Sequence, residues 1–400
     1  MWSSRMAGTT YADQCAPGKT KKADVLDCNP PVGLLKRRVL RSATDNVENL
    51  FSRVHAMNGA DPAKTTFVLA DVAELQRLIV QPLYREADKK RMLEILKKNK
   101  ATGTSGPFFL QETRRRLYSN GKIVAEGRED WIGSIEWRRD LIQGPAIENT
   151  GRIINEVKAD VLCLVEVESR PVLRRFNDTI LTEASYPHAM LIDGNDERGI
   201  DVAILCRRPL RDLRSHVDDL DPVTGWPVFS RDCAEFEIDL PGARHLWVLV
   251  NHFKSRGYGS KVSNDAKRTR QAETVGAILK RFNLQKQWVV VAGDFNELPA
   301  SDSLAPLLKL PGLRNTFEKL PNDADRWTHR DDAVPSKNDQ IDYLLVSDAL
   351  WPHLQQVGIE RRGIWAGAKK TRGQYPPLSS VTGETNAASD HAAVWADFDL

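Results

Sequence analysis

Polar and acidic residues stand at the ends of several apolar runs, where a strand would meet the following loop. They are Asn46, Glu48, Glu166, Asn251, His252, Asp294, Asn296, Asp390 and His391. Sheets in α/β proteins place ligand sites at strand ends, so we expect these side chains to share one site. Each residue alone has an ordinary structural explanation, as one half of an ion pair or as a hydrogen-bonded core residue. Together they indicate function, because burying several carboxylates without a cation costs several kcal/mol each.

The chemistry that suits this set is phosphoryl transfer assisted by a hard metal ion. The candidate ligands are oxygens, and the five cysteines form no CxxC pair, which favours Mg²⁺, with Mn²⁺ as a substitute, over zinc. We expect Glu48, Glu166 and Asp390 to supply carboxylates to the ion. Phosphoryl transfer needs little else than in-line positioning, a cation near the developing charge and a base for the attacking water.

The elements that would position these residues are short apolar runs of strand length, rich in Val, Ile, Leu and aromatic residues. The clearest runs lie at residues 160–167, 200–206, 246–253, 288–295, 341–347 and 392–398. Between two of these runs, residues 266–282 place Val275, Ile278, Leu279 and Phe282 at helical spacing. This pattern predicts a helix that packs on a sheet.

The pattern along the chain predicts a tail followed by one domain. Residues 1–36 are polar and carry no sustained period, so we expect a loosely ordered tail. Residues 37–400 then form the domain that holds the site. Within it, residues 54–148 are charge-rich, with apolar residues recurring at three and four positions, which predicts a helical insertion.

The overall charge gives no footprint for nucleic acid, since 57 basic residues oppose 54 acidic ones. Any footprint must be local, in basic runs such as 89–100, 114–116 and 361–372, although such runs are usually solvated faces. No stretch approaches the roughly 20 apolar residues of a membrane span, and the first residues lack a signal sequence. We therefore expect a cytoplasmic protein, and the sequence predicts no protein partner.

Six short motifs occur in order along the chain. They are NVENLF from Asn46, DVLCLVEVE from Asp160, NHFKS from Asn251, GDFNE from Gly293, IDYLLVS from Ile341 and SDHAAV from Ser389. Together they resemble the endonuclease/exonuclease/phosphatase superfamily, in its deoxyribonuclease I-like branch. The resemblance covers nearly all of residues 37–400 except the insertion. It implies an α/β (α+β) fold, a four-layered α/β/β/α sandwich of two mixed sheets with outer helices.

The resemblance also assigns roles on the metal side of the site. Glu166 is similar in position to the principal metal ligand of the superfamily, and Asp390 completes the metal side with Asn46 and Glu48. The resemblance further implies that Asn46 meets the substrate.

The catalytic residues are assigned in the same way. Asp294 and Asn296 resemble the residues that orient the attacking water and contact the scissile phosphate. His391 resembles the catalytic histidine, with Asp342 as its orienting carboxylate. A neutral imidazole held by a carboxylate is a suitable general base near neutrality.

A second histidine and acid pair, His252 with Asp201, matches the deoxyribonuclease I-like branch, which uses it near the leaving group. Arg198 and Lys254 flank this pair and are expected to meet phosphate, and Asn251 is expected to bind substrate. The sequence departs from the branch at two places. Val165 replaces a glutamine, and Glu168 stands where the branch has a basic residue for phosphate.

The leading hypothesis is a divalent-metal-dependent endonuclease that cleaves DNA or RNA by in-line attack of an activated water. The alternative enzyme is a phosphatase or phosphodiesterase acting on small phosphoesters, inositol phosphates or phospholipid head groups. The sequence indicates no exposed aromatic hairpin, which disfavours the lipid version. An inactive binding module is disfavoured because the full set of candidate residues is present.

Overall fold

The computed structural model describes residues 39–58, 62–142, 144–183, 185–322, 325–330, 338–365 and 375–400. The predicted tail at 1–36 and most of the basic run after residue 365 lie outside these ranges. The described strands, in chain order, are β1 Val39–Leu50, β2 Ser52–Val54, β3 Phe108–Arg114, β4 Tyr118–Ser119, β5 Lys122–Ile123, β6 Ile132–Trp137, β7 Arg139–Leu141, β8 Val161–Val167, β9 His188–Leu191, β10 Asp201–Cys206, β11 Leu210–Arg214, β12 Cys233–Leu240, β13 Arg244–His252, β14 Trp288–Asp294, β15 Leu313–Asn315, β16 His329–Arg330, β17 Asn338–Asp339, β18 Asp342–Ser347, β19 Leu354–Glu360 and β20 Ala393–Asp399.

The described α-helices are α1 Pro62–Ile79, α2 Glu86–Lys98, α3 Pro145–Val157, α4 Arg170–Thr179, α5 Lys261–Leu279 and α6 Ala305–Leu308. Helix α5 confirms the predicted helix but begins earlier than the apolar stripe suggests. Its start is set by Ser260, whose hydroxyl accepts a hydrogen bond from the Ser263 N–H at 3.2 Å. A cap of this kind satisfies a backbone donor that the first turn leaves unpaired.

Two six-stranded mixed sheets form the centre of the fold. The first has the strand order β19-β20-β1-β8-β10-β9 and the second has the order β11-β12-β13-β14-β18-β15. In each sheet one central pair is parallel, β1 with β8 and β13 with β14. The runs predicted as strands from the sequence are β8, β10, β13, β14, β18 and β20, so these predictions are confirmed.

The side chains of each strand alternate between two apolar layers, which fixes how the sheets pack. Val161, Cys163 and Val165 of β8 point into the core between the sheets, where they join Val248 and Val290 of the second sheet. The alternate residues of β8 face helices α3 and α4 on the outside of the first sheet. Helices α5 and α6 cover the outside of the second sheet in the same way. The predicted four-layered α/β/β/α sandwich is confirmed.

The segment between β1 and α3 forms a small unit on the edge of the sandwich. Helices α1 and α2 pack with the two-stranded sheets β3–β6 and β4–β5 around their own apolar cluster, which includes Leu75, Ile95 and Trp131. Strands β2 and β7 pair antiparallel at its base and bring its two ends together. The segment was predicted to be helical, but its second half consists of strands. The burial of successive side chains in these strands does not alternate regularly, so the sequence shows no clear period of two. The domain limits 37–400 and 54–148 remain predictions.

Candidate active site

The predicted site residues lie where strands of both sheets end on one edge of the sandwich. Three of them, Glu48, Glu166 and Asn296, have left-handed backbone conformations with φ of 46°, 67° and 53°. The strand register shifts beside two of them, after Asn46 in β1 and between Asp201 and Val202 in β10. Non-glycine residues in this region cost about 1 kcal/mol or more, and such strain persists where side chains must be aimed at a site.

His391 is held by a buried carboxylate. Its Nδ1 lies 2.9 Å from Oδ2 of Asp342, and the Thr328 hydroxyl donates to the same oxygen at 2.7 Å. The N–H groups of Ile341 and Asp342 in turn donate to the Thr328 oxygen at 3.1 Å each. This chain of hydrogen bonds fixes the ring with Nε2 facing the site, as a general base requires.

The surroundings of His391 favour its charged form. Burial opposes the charge, but the carboxylates of Asp342, Asp294 and Asp390 outweigh it and raise the pKa of His391 well above 6.5. In the neutral form, the hydrogen bond to Asp342 places the remaining proton on Nδ1 and leaves the lone pair on Nε2.

Asp294 is a buried carboxylate with several hydrogen-bond donors around it. Its Oδ1 accepts the Asn296 N–H at 2.7 Å, while Oδ2 accepts the side-chain amides of Asn296 at 3.0 Å and Asn46 at 3.2 Å. Burial and the neighbouring charge of Asp342 raise the pKa of Asp294 to about 7. The structure thus brings together Asn46, Asp294, Asn296 and His391, four of the residues predicted from the sequence.

Asn46 connects the two halves of this site. Its amide nitrogen lies 3.4 Å from Glu166 Oε1 and 3.5 Å from His391 Nε2, and its oxygen accepts the Glu48 N–H at 3.1 Å. The amide nitrogen, not the oxygen, therefore faces the carboxylates. This orientation suits positioning of the acids and of a substrate oxygen better than direct metal ligation, which was one of its two predicted roles.

The donor set on the metal side fits a hard divalent cation. Burial and the charges of Asp390 and Glu166 raise the pKa of Glu48 to about 7, although the positive charge of His391 acts in the opposite direction, so acidic groups converge here. The compact donor groups in the described residues are His329–Asp390–His391 and Asp294–Asp342–His391, and neither includes Glu48 or Glu166. A wide spacing between the Glu48 and Glu166 carboxylates and the other donors is compatible with Mg²⁺, because this ion keeps several waters and takes only one or two carboxylates.

The predicted pair of His252 and Asp201 does not form a hydrogen bond. Asp201 Oδ1 accepts the Gly194 N–H at 2.9 Å, and neither its Oδ2 nor His252 Nδ1 has a partner in the described part of the chain. Instead, His252 Nε2 lies 3.7 Å from Asp294 and 3.9 Å from Glu166. The two residues come from strands of different sheets, so their spacing depends on sheet packing, which sequence position cannot give.

His252 is neutral in this environment. Burial and the positive charges of Arg231, His391 and Arg198 lower the pKa of His252 well below 6.5. Its ring can therefore hydrogen-bond to a phosphoryl oxygen, but it does not carry the extra proton that a general acid donates. Asp201, in contrast, has a pKa raised to about 7 by burial and by its acidic neighbours Asp193 and Asp196.

Basic side chains lie on the His252 side of the site. Arg198 binds Asp196 through Nη2 at 2.8 Å, and Arg231 approaches the same carboxylate at 3.1 Å. Arg231 also donates to the Phe253 carbonyl oxygen at 3.3 Å. Lys254 Nζ turns to the Gly257 carbonyl at 2.8 Å. Asn251 is fully buried, and its side-chain amide donates to the Leu249 carbonyl at 3.3 Å, which places it in the core behind the site.

Sequence reasoning missed Arg231 and His329. Arg231 is 3% exposed, and its charge acts on both Glu166 and Asp294. The ring centroid of His329 lies 4.7 Å from that of His391. Neither residue belongs to one of the six motifs, so no signal in the sequence pointed to them.

Glu168 explains one departure from the superfamily pattern. It accepts the Ser52 N–H at 2.5 Å and binds Arg139 at 2.9 Å, so it ties strands β2 and β7 to the sandwich. In this role Glu168 holds the base of the edge unit.

A hairpin at Leu220–Pro227 exposes apolar side chains near the basic side. Val223 and Trp226 are each 73% exposed and Leu220 is 61% exposed. Asn195 donates to the carbonyls of Val217 and Phe229 at 2.7 and 3.0 Å and so clamps both ends of the hairpin. The expectation that the chain has no exposed aromatic hairpin is therefore wrong. The sequence could not show this hairpin, because it gives neither the position of the turn nor the exposure of Trp226.

The local basic runs are largely compensated. Lys89, Arg91 and Lys98 bind Glu126, Glu74 and Asp71 at 2.9 Å or less. Arg361 is buried against Trp327, whose ring centroid lies 4.4 Å from the guanidinium carbon. Arg114, Arg115 and Arg116 are exposed. In the described residues, no helix is long and apolar enough to cross a membrane.

Comparisons with known proteins place this chain among phosphoester hydrolases. A family model described as Endonuclease/Exonuclease/phosphatase family matches residues 142–391. Among curated proteins, no sequence matches. Solved structures match weakly: a family protein from Bacteroides thetaiotaomicron at 14% identity and TM-score 0.47, covering 91% of this chain and 96% of that one. A D. rerio TDP2 complexed with single strand DNA product matches at 16% identity and a TM-score of 0.44, and the match covers 64% of this chain and 93% of that one. Beta toxin from Staphylococcus aureus matches at 15% identity and a TM-score of 0.42, and the match covers 64% of this chain and 92% of that one.

Proposed function

Because the chain belongs to the endonuclease/exonuclease/phosphatase family and is a phosphoester-hydrolysing enzyme, we propose that it is a Mg²⁺-dependent endonuclease that cleaves DNA or RNA. The observation that carries the proposal is an acidic half of the site facing a basic half. Glu48, Glu166 and Asp390 lie on the first, and Arg198 and Arg231 on the second. A phosphodiester carries one negative charge and fits between a cation and guanidinium groups.

In this proposal the residues of the chain divide the work. The nearby carboxylates favour charged His391, so it is the deprotonated fraction of the ring, held by Asp342, that takes a proton from the attacking water. Asp294 with Asn296 orients that water. His252 donates a hydrogen bond from a neutral ring to the phosphoryl oxygen. Glu166 and Asp390 would hold the divalent ion, which supplies charge stabilisation when bound. Attack of the water on phosphorus breaks the P–O3′ bond, the leaving 3′-oxygen takes its proton from solvent water, and the proton held by His391 returns to solvent. The products are a 5′-phosphate and a 3′-hydroxyl, as the family chemistry implies.

There is room for substrate groups beside the metal side. A cavity of about 310 Å³ opens next to Glu48, between the end of β1, the start of α3 and the segment 384–388. Phe51, Ile142 and Ile147 give it an apolar wall. Apolar walls with few polar groups are typical of ligand cavities, and this one is wide enough for part of a nucleotide.

Nicking of supercoiled plasmid tests the proposal. With purified protein and Mg²⁺ we expect open-circle DNA, and with a single-stranded RNA we expect internal cuts. EDTA and the His391→Ala and Asp294→Ala variants should each remove the activity while circular dichroism stays unchanged. His245→Gln, a histidine beside Glu237 and Asp239 on the β12–β13 edge, is the matched control and should cut normally. Intact DNA and RNA with the wild-type enzyme would reject the choice of substrate.

The exposed hairpin favours a second candidate, hydrolysis of phospholipid head groups. Trp226, Val223 and Leu220 could insert into the interface of a membrane and bring the site to the lipid phosphate. Vesicles of choline phospholipids, assayed for head-group release beside the plasmid assay, rank the two candidates. If the lipid is the substrate, Trp226→Ala should abolish release from vesicles but spare a soluble diester.

A further inference from the structure

His329, Asp390 and His391 form a compact group of metal donors, and the proposed Mg²⁺ chemistry gives His329 no role. His329 Nε2 lies 3.5 Å from Asp390 Oδ2, and His391 Nε2 lies 3.8 Å from Asp390 Oδ1. The donor atoms of all three residues lie within 4.8 Å of one another. Ligands of one tetrahedral zinc ion are separated by about 3.3 Å, as bond lengths near 2.0–2.1 Å require. Small side-chain rotations would therefore close the group around an ion.

The chemical nature of the donors decides which ion they suit. Two imidazole nitrogens and one carboxylate are typical ligands of Zn²⁺, Co²⁺ and Ni²⁺, whereas Mg²⁺ prefers oxygen. Three protein ligands also leave a coordination position for water. The group thus prefers a different metal ion from the one that the carboxylate oxygens of Glu48 and Glu166 prefer.

The backbone holds the donors in place before any ion binds. Strand β16 forms a bridge with the residues before β20, so that His329 lies opposite His391. Arg330 N–H donates to the Asp390 carbonyl at 3.1 Å, and Ala392 N–H donates to the Thr328 carbonyl at 2.7 Å. Paired strands keep side chains at a fixed separation, which lowers the entropy lost when a metal is bound.

The ring nitrogens are also in a suitable state. Asp342 holds His391 through Nδ1, so the nitrogen that faces Asp390 and His329 is Nε2, which becomes a ligand once its proton is displaced by the metal; a carboxylate behind the histidine is common around zinc. His329 Nδ1 is buried and has no hydrogen-bond partner in the described residues, so nothing there prevents it from carrying the proton while Nε2 binds a metal.

We propose that His329, Asp390 and His391 bind one late transition-metal ion, such as Zn²⁺, and that this ion inhibits hydrolysis. The bound ion occupies the Nε2 lone pair of His391, so His391 cannot accept a proton from water. It also occupies the Asp390 carboxylate, so the Mg²⁺ site loses a ligand. The inhibition rests on the proposed function, whereas the binding of the metal does not.

The binding test uses the full-length, metal-free protein without substrate. Co²⁺ gives visible absorption bands whose intensity reports four- or five-coordinate nitrogen and oxygen ligands, and Zn²⁺ competition gives its affinity. We expect one Co²⁺ per chain, displaced by Zn²⁺. His329→Gln should weaken the affinity about tenfold or more, since one of three protein ligands is lost. His245→Gln should bind as the wild type does.

The inhibition test adds Zn²⁺ to enzyme in saturating Mg²⁺, with each variant compared with its own Zn²⁺-free rate. The wild type and His245→Gln should lose activity at about the Zn²⁺ concentration that fills the site, and His329→Gln should need at least about tenfold more. Equal Co²⁺ affinity of His329→Gln and wild type would overturn the site, whatever the activity. Tight, His329-dependent binding without inhibition would overturn the regulatory part alone, and absence of all hydrolysis would count against the proposed function only.

Discussion

At the residue scale, the position of His391 depends on hydrogen bonds that begin outside the catalytic motifs. Thr328 lies in the segment before β16, and its hydroxyl is fully buried between Asp342 and two backbone N–H groups. His391, the proposed general base, is thus positioned by a residue outside the six motifs. Such positioning residues commonly change rates by about 10–100-fold.

Thr328→Val tests this positioning role. Valine keeps the shape but cannot donate to Asp342, so we expect kcat to fall about 10–100-fold with little change in KM. Thr328→Ser keeps the hydroxyl and should stay within about threefold of wild type. Melting temperatures measured alongside separate this effect from loss of folding. A normal kcat in the valine variant would show that Asp342 is oriented by other means.

Glu166→Gln tests the metal side. The amide keeps the size of the side chain but removes the charge, so the Mg²⁺ concentration for half-maximal activity should rise about 10–100-fold. Glu168→Gln, two residues on, only loses its pair with Arg139 and should leave the Mg²⁺ dependence unchanged. The comparison is made by titrating Mg²⁺ at fixed substrate. Identical curves for both variants would remove Glu166 from the metal site.

At the element scale, the close approach of β13 and β14 depends on Gly293. This residue has φ of 135°, and a Cβ at its position would lie 1.8 Å from the Asn251 carbonyl oxygen. Gly293 directly precedes Asp294, so the two parallel strands can converge at the site only without a side chain there.

Gly293→Ala should therefore destabilise the protein by about 3 kcal/mol or more, lowering the melting temperature by about 5 °C or more. The matched control is Gly276→Ala in α5, where a Cβ would lie 3.7 Å from the Pro306 carbonyl, an ordinary contact. Alanine favours a helix over glycine, so this control should melt at or above the wild-type temperature. Differential scanning calorimetry measures both. Equal melting temperatures would contradict the steric argument.

A histidine also joins the exposed hairpin segment to β12. His216 Nδ1 lies 2.7 Å from Asp219 and its Nε2 lies 2.5 Å from the buried Glu235. Burial alone would lower the pKa of His216, but the bonds to Glu235 and Asp219 outweigh burial and raise it above 6.5. The folded state therefore binds this proton more tightly than the unfolded chain.

It follows that the stabilisation from His216 is complete below about pH 6.5 and is lost as the pH rises through the raised folded-state pKa. The gap in melting temperature between wild type and His216→Gln should be wider at pH 6 than at pH 9. Asp219→Asn removes one partner and should reduce this pH dependence. If the difference in melting temperature stayed constant, or widened at high pH, His216 would not be charged beside Glu235 and Asp219.

At the scale of the whole molecule, the edge unit can be separated from the catalytic sandwich. Its apolar cluster is distinct from the three large apolar clusters of the sandwich. Its ends meet where Val54 lies opposite Arg139, and His55 N–H donates to the Arg138 carbonyl at 2.7 Å. A two-residue turn between these positions would join β2 and β7 as a hairpin.

Replacing residues 55–138 with Asn-Gly should thus give a folded enzyme. We expect Mg²⁺-dependent hydrolysis of bis(p-nitrophenyl) phosphate to remain within about threefold of wild type, because the site residues are untouched. Cleavage of nucleic acid should weaken and depend less on salt, because the exposed arginines 114–116 are lost. The full-length triple Arg→Ser variant is the control and should show the same salt effect. Loss of small-diester hydrolysis would show that the unit supports the site.

The sequence alone determined the chemistry and most of the sheet core. Strands such as β8 and β14 could be predicted because runs of Val, Leu and Ile form buried strands whatever their neighbours, and the motifs at their ends named Glu166, Asp294 and His391. The family assignment followed from these local signals. Helices α3 and α4 were not predicted, since their apolar stripes are short.

Only the tertiary structure decided which of these residues touch. The contacts of His329 with Asp390, of Arg231 with Asp196 and of Thr328 with Asp342 each join two separate elements or loops of the chain. The same packing separated His252 from Asp201 and gave Glu168 a structural role. Composition and periodicity report how much of a side chain is buried, whereas its partner depends on the register and packing of the two sheets, to which no single segment contributes alone.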